Sequence, residues 1–110
     1  MKIKEEKIES VVLCIIEGEI DINTSAQLRK TFEEFVRRNE KKILVEFSQV
    51  SYIDSSGLAT FIEALQHMKK IGCQLRFCDM TQQVKNAFEL TKLHKLFAIF
   101  DGRDEALKGF

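Results

Sequence analysis

The chain contains no proline, and no linker, internal repeat or low-complexity segment interrupts it. Nothing divides it, and 110 residues suit a single domain, 1–110, with one modest core. It also lacks an excess of either charge: 17 basic residues offset 17 acidic ones. No basic face stands out, so direct nucleic-acid binding is not expected. The pairs Arg37-Arg38, Lys41-Lys42 and Lys69-Lys70 flank apolar segments and read as solvated helix ends. No apolar run approaches the roughly 18 residues of a membrane span. The start, Met1-Lys2-Ile3-Lys4-Glu5-Glu6, is too charged for a signal peptide, and the chain reads as cytoplasmic. Cysteines are few and odd in number (Cys14, Cys73 and Cys78), which argues against a disulfide framework. Each lies in or beside an apolar strand pattern, where a buried free thiol is expected. His67 and His94 have no Cys or His at ligand spacing, so they read as surface residues, and no metal or cofactor is expected.

What is present alternates. Lys2 to Lys7 and Ser10 to Ile16 read as a hairpin or two adjacent strands, with Gly18-Glu19-Ile20-Asp21 breaking the second. Asn23-Thr24 supplies a helix cap, with Gln27 three residues after Thr24 as in a capping box. Leu28, Phe32, Phe35 and Val36 then fall on one helical face, and Asn39 is a plausible stop. In the strand Ile43–Phe47, Ile43, Val45 and Phe47 point one way and Leu44 and Glu46 the other. A helix after Asp54 carries Leu58, Phe61, Ile62, Leu65 and Met68, and Ile71-Gly72 ends it. Gln74–Cys78 is a further strand. Asp79 or Thr81 opens a helix with Val84, Ala87 and Phe88 inward. His94 falls in a loop, Leu96–Phe100 forms a last short strand, and Asp104–Lys108 forms a short closing helix. Strands separated by helices of these lengths imply βαβ units with right-handed crossovers. The loops holding Asp21 and Asp54-Ser55 both follow strands. In parallel strands they emerge at the same edge of the sheet and form one surface, where open sheets commonly place function.

The most informative stretch is Val50-Ser51-Tyr52-Ile53-Asp54-Ser55-Ser56-Gly57-Leu58. It sets two hydroxyls and a carboxylate at a helix start, beside unpaired backbone N–H groups and a partial positive charge. That setting suits a phosphorylated serine. It equally suits an ordinary cap, since Asp and Ser are preferred there. The stretch by itself leaves both readings open.

Three blocks, however, carry a resemblance: Val11–Ile15 with Gly18–Asp21; Ile43–Leu58; and Val84–Phe88 followed by Leu93–Leu107. Together they cover nearly the whole chain, which resembles the bacterial STAS-domain anti-sigma factor antagonists. The resemblance implies an α/β STAS fold: a mixed four- to five-stranded sheet with about four helices packed mainly on one face. It implies a switch of partners rather than an enzyme. The unphosphorylated protein binds an anti-sigma factor that is also a serine kinase, freeing a sigma factor. Phosphorylation at Ser55 releases the antagonist, and a PP2C-type phosphatase resets it. The partner-binding residues so implied are Asp21, Asn23, Thr24, Asp54, Ser55, Ser56 and Gly57. Asp54 would orient the loop, and Gly57 would permit close approach of the partner backbone.

The chain departs from the family pattern at Glu46, where Asp or Asn is more usual, at Thr91-Lys92-Leu93 in place of a glycine-containing turn, and at Ala59 in place of glycine. The alternative within the family is a STAS module of a non-sigma partner-switching, stressosome or lipid-transport system. A serine hydrolase is disfavoured: no Gly-x-Ser-x-Gly elbow is present, and His67 lies about three helical turns beyond Ser55. No P-loop pattern is present either.

Overall fold

Alternation along the strands sorts the side chains onto two faces, and the helices follow. The computed structural model describes all 110 residues. Strands β1 (Lys2–Ile8), β2 (Val11–Ile20), β3 (Lys42–Ile53), β4 (Gln74–Cys78) and β5 (Ala98–Phe100) lie side by side in chain order. β1 is antiparallel to β2, and every later pairing is parallel. Helices α1 (Ser25–Arg37), α2 (Ser55–Lys70) and α3 (Gln82–Leu90) make the three crossovers. They share the large core with Val12, Cys14, Ile16, Ile43, Val45, Phe47, Leu75 and Phe77 of the sheet. The short α4 (Arg103–Leu107) covers the other face, where Ala106 packs with Val11, Leu13, Leu44 and Cys78. The resemblance implied a mixed sheet of four to five strands with about four helices mainly on one face; the structure has five strands and four helices, three of them on one face.

Phenylalanine fills the centre of the large core. Phe47, Phe61, Phe77 and Phe88 stand with every pair of ring centroids between 5.1 and 6.5 Å apart, tilted or edge to face. Each such pair contributes about 1 kcal/mol beyond area burial. The cluster fixes α2 against β3, and thereby fixes where α2 begins. All three thiols are buried. Burial pushes Cys14 and Cys78 up to about 12.

Several boundaries differ from the sequence reading, for identifiable reasons. β2 does not stop near Ile16 but runs through Gly18 to Ile20, because Gly18 takes φ +106°, a conformation open to glycine, and stays in the ladder opposite Val50. β3 continues beyond Phe47 to Ile53. Ile15 pairs with Glu46 and Glu17 with Gln49, then Gly18 with Val50 and Glu19 with Tyr52, so β3 gains one extra residue twice. Those two bulges bring Phe47, Val50 and Ile53, three apart, onto the same buried face. β5 begins at Ala98 rather than Leu96, since Leu96 closes a 3-10 turn over Leu93–Lys95, which also holds His94. Asn39, at φ +62°, does stop α1. Glu46 lies on the face of α4, where burial raises its pKa but hydrogen bonds from Arg103 and Ser48 outweigh that and leave it lowered.

Candidate functional site

Ile20 and Ile53, the last residues of β2 and β3, are direct register partners. The chain therefore leaves both strands at one level, and the Asp54 N–H donates to the Ile20 carbonyl at 3.1 Å to tie the two exits together. The loop carrying Asp21, Asn23 and Thr24 and the start of α2 carrying Asp54, Ser55 and Ser56 thus meet on one surface.

At α2, Asp54 is an N-cap in extended backbone conformation. Its Oδ1 accepts from the Ser56 N–H at 3.0 Å, the Gly57 N–H at 3.1 Å and the Ser56 hydroxyl at 2.6 Å. The Ser56 hydroxyl is the main cause of a pKa held below the usual carboxylate range; burial opposes it, and the N–H groups of Gly57, Ser56 and Ile22 add to the lowering. The cap reading of the sequence is therefore correct for Asp54, with Ser56 engaged as its hydrogen-bond partner. Ser55 is different: it is exposed, and its hydroxyl makes no hydrogen bond within the chain.

The Asp21 loop is stiffened from inside. Asp21 Oδ1 accepts from the N–H groups of Asn23 at 2.9 Å and Thr24 at 3.2 Å, and the Asp21 carbonyl accepts from the Ser25 N–H at 2.8 Å. Thr24 occupies the N-cap position of α1, but the expected capping box with Gln27 does not form. Its hydroxyl turns back instead, accepting from the Asp21 N–H at 2.9 Å and donating to the Glu19 carbonyl at 2.9 Å. Thr24 therefore shapes the loop rather than the helix.

Gly57 is buried, not presented. A Cβ there would stand 2.7 Å from Ile20 Cγ2, 2.8 Å from Ile53 Cγ1 and 3.1 Å from the Ile20 carbonyl oxygen. The close approach that requires glycine is made by the chain's own strand ends, not by a partner's backbone. Two residues that the sequence reading passed over do face outward: Ile22 at the tip of the Asp21 loop is 75% exposed, and Tyr52 at the end of β3 is 41% exposed. An apolar residue between Asp21 and Asn23 was the only signal available. His67 sits on α2, exposed, roughly 18 Å along the axis from Ser55. No three His, Cys, Asp or Glu side chains converge as metal ligands, and no helix is long and apolar enough to cross a membrane.

Removing the Ser56 hydroxyl tests this hydrogen-bond set. With its folded pKa below the unfolded value of about 3.9, Asp54 contributes stability that is present above that value and lost as pH falls through the folded pKa. Ser56→Ala is expected to raise the Asp54 pKa toward its ordinary range and to cost about 1 kcal/mol at neutral pH. The difference from wild type should close at acid pH. Urea unfolding across pH, with NMR titration of Asp54, measures both; an unmoved Asp54 titration would refute the contact.

Comparison with known proteins matches residues 2–106 to the STAS domain. The chain is 25% identical over 108 residues to the anti-sigma F factor antagonist of Paenibacillus polymyxa, covering 97% of this chain and 92% of that one. It is 24% identical over 99 residues to the anti-sigma-B factor antagonist of Listeria monocytogenes, covering 90% and 86%. Among solved structures it superposes on the Thermotoga maritima protein TM1081 with a TM-score of 0.91 at 24% identity, over 96% of this chain and 92% of that one. It also superposes on the Bacillus anti-sigma factor antagonist SpoIIAA, with TM-scores of 0.72 for the unphosphorylated form and 0.73 for the phosphorylated form at 16% and 17% identity; each match covers 94% of this chain and 92% and 94% of SpoIIAA, respectively.

Proposed function

The chain belongs to the STAS-domain family, its match running over residues 2–106, and from that premise we propose that it is an anti-sigma factor antagonist switched by phosphorylation of Ser55. In the unphosphorylated state it binds an anti-sigma factor serine kinase through the surface formed by Asp21, Asn23, Thr24, Asp54, Ser55 and Ser56, and a sigma factor is freed. The kinase transfers phosphate to Ser55 and the complex parts; a PP2C-type phosphatase restores the binding form. The protein is a regulator rather than an enzyme, in keeping with relatives named as antagonists.

One observation carries the choice of residue. Of the two adjacent serines, Ser56 is engaged by Asp54 at 2.6 Å, whereas Ser55 is exposed with an unengaged hydroxyl. A kinase can reach Ser55 without breaking the cap of α2. The same geometry supports a switch without refolding. A phosphate adds about −1.5 to −2 charges at neutral pH, and a helix start tolerates an anion. Yet no Lys or Arg occurs between Ile43 and Met68 or between Val11 and Leu28, so neither segment brings a cation to neutralise it. Because Ser55 is exposed, a phosphate on it faces outward, into space that a docked partner would occupy. That this chain superposes about equally well on the unphosphorylated and phosphorylated forms of SpoIIAA agrees with this picture.

The test is direct. The purified anti-sigma serine kinases of the native cell are incubated with this protein and ATP, and the product is mapped by mass spectrometry. Phosphate is expected on Ser55. Modification mainly of Ser56 or of a threonine would reject the assignment, and no kinase acting at all would move the non-sigma STAS roles ahead.

A further inference from the structure

We infer that Ile22 is the apolar anchor of the kinase contact, inserting into an apolar pocket that the kinase rims with Lys or Arg side chains. The inference rests on the proposed role of Ser55 and names the contact that role requires.

Two independent observations lead to it. The first is that Ile22 is 75% exposed on a loop that is not free to fold it away. The hydrogen bonds among Glu19, Asp21, Asn23, Thr24 and Ser25 hold the backbone on both sides of it. A rigid apolar tip loses little conformational entropy on docking, as energetically dominant interface residues require. Tyr52, 41% exposed, lies at the same end of the sheet: its register partner is Glu19, whose carbonyl accepts from Thr24. Aromatic residues with a polar end are enriched at such contacts.

The second observation is charge. The acidic side chains of this sheet edge, Glu19, Asp21 and Asp54, take part in none of the chain's ion pairs. In the same two segments, by contrast, Glu17, Glu46 and Glu63 are each paired with a cation from elsewhere, Lys4, Arg103 and Arg29. A neutral protein thus presents an unpaired negative edge around one apolar tip, and the complement of that edge is basic around an apolar pocket. A second copy of the chain would bring a like-charged edge against it. Because the rim facing Asp21 and Glu19 is basic, release by phosphate on Ser55 is steric: the phosphoryl group takes up space that the docked kinase fills.

The experiment uses the full chain and the purified kinase that phosphorylates it. Ile22→Ser is expected to weaken binding at least about tenfold, Tyr52→Ser to weaken it in the same direction, and Leu90→Ser, which removes a still more exposed leucine on α3, to leave it unchanged. Raising salt from about 0.05 M to about 0.5 M should slow association with wild type. Thermal unfolding of each variant should match wild type, since Ile22 contributes little to the core. If wild type binds and is released by ATP but Ile22→Ser binds equally well, the inference fails and the phosphoswitch stands. Salt-independent association removes the basic rim. Loss of wild-type self-association in Ile22→Ser, with kinase affinity intact, reassigns the tip to a second copy. If no kinase binds wild type, the functional reading fails and takes this inference with it.

Discussion

Ser55→Ala is expected to bind the kinase as tightly as the unmodified protein, to take up no phosphate, and to remain bound through ATP turnover. Phosphorylation of wild type is expected to lower the same affinity by about 100-fold, which corresponds to about 2.7 kcal/mol. Ser55→Asp should fall between them, near tenfold, because a carboxylate is smaller than a phosphate and crowds the contact less. The direction follows from the site. Ser55 is exposed beside Asp54 within the proposed contact, so a phosphoryl group there crowds whatever docks on it. Calorimetric titration of the kinase with the three proteins, with and without ATP, reads all of these. Equal affinities for Ser55→Ala, Ser55→Asp and phosphorylated wild type would mean that this loop is not the interface.

The largest structural effect is expected at Gly57. Gly57→Val should destabilise the fold by about 3 kcal/mol, because the new side chain has to displace Ile20 and Ile53 together and the Ile20 carbonyl stands too close to yield. Gly57→Ala should cost less, since the helix-propensity gain of about 1 kcal/mol offsets part of the clash. Because Ile20 and Ile53 end the two strands that carry the site, the Val variant should also move Asp54 relative to Asp21. Denaturant unfolding measures the stability, and amide exchange at Asp21–Ser25 the displacement. A Val variant as stable as wild type would show that the strand ends can spread without cost.

Much of this was legible in the chain. Short apolar, β-branched runs such as Ile43–Phe47, and helices with apolar residues every three or four positions, such as Leu28, Phe32 and Phe35, announce themselves by pattern alone. The second half of β3 does not. Phe47, Val50 and Ile53 repeat every three residues, a spacing that belongs to neither regular element, and only the paired register with β2 shows that two bulges produce it. Gly18 looks like a break for the same reason: a residue that ends strands elsewhere is here the one that lets β2 pass a bulge. At the site, Asp54 as a cap could be named from the motif, and Ser55 as the proposed phosphosite from the family resemblance. Which hydroxyl is left unengaged could not, because either serine could have turned toward Asp54. The roles of Thr24 and Gly57 were misjudged because each depends on a neighbour distant in sequence: the Glu19 carbonyl for one, and the ends of two strands for the other.

The lateral margins of the sheet have a bearing on how partners are exchanged. β1, on one side, carries five charged residues in its seven, Lys2, Lys4, Glu5, Glu6 and Lys7, and β5, on the other, is only three residues long. Charge and brevity are the means by which sheets discourage a further strand from joining. Incoming protein is thereby denied the main-chain ladder that gives strand-addition complexes their affinity, and is left with side chains at one end of the molecule. Complexes held in that way can form and dissolve without opening any backbone hydrogen bond of the sheet, so in the proposed cycle the framework stays closed each time a partner leaves.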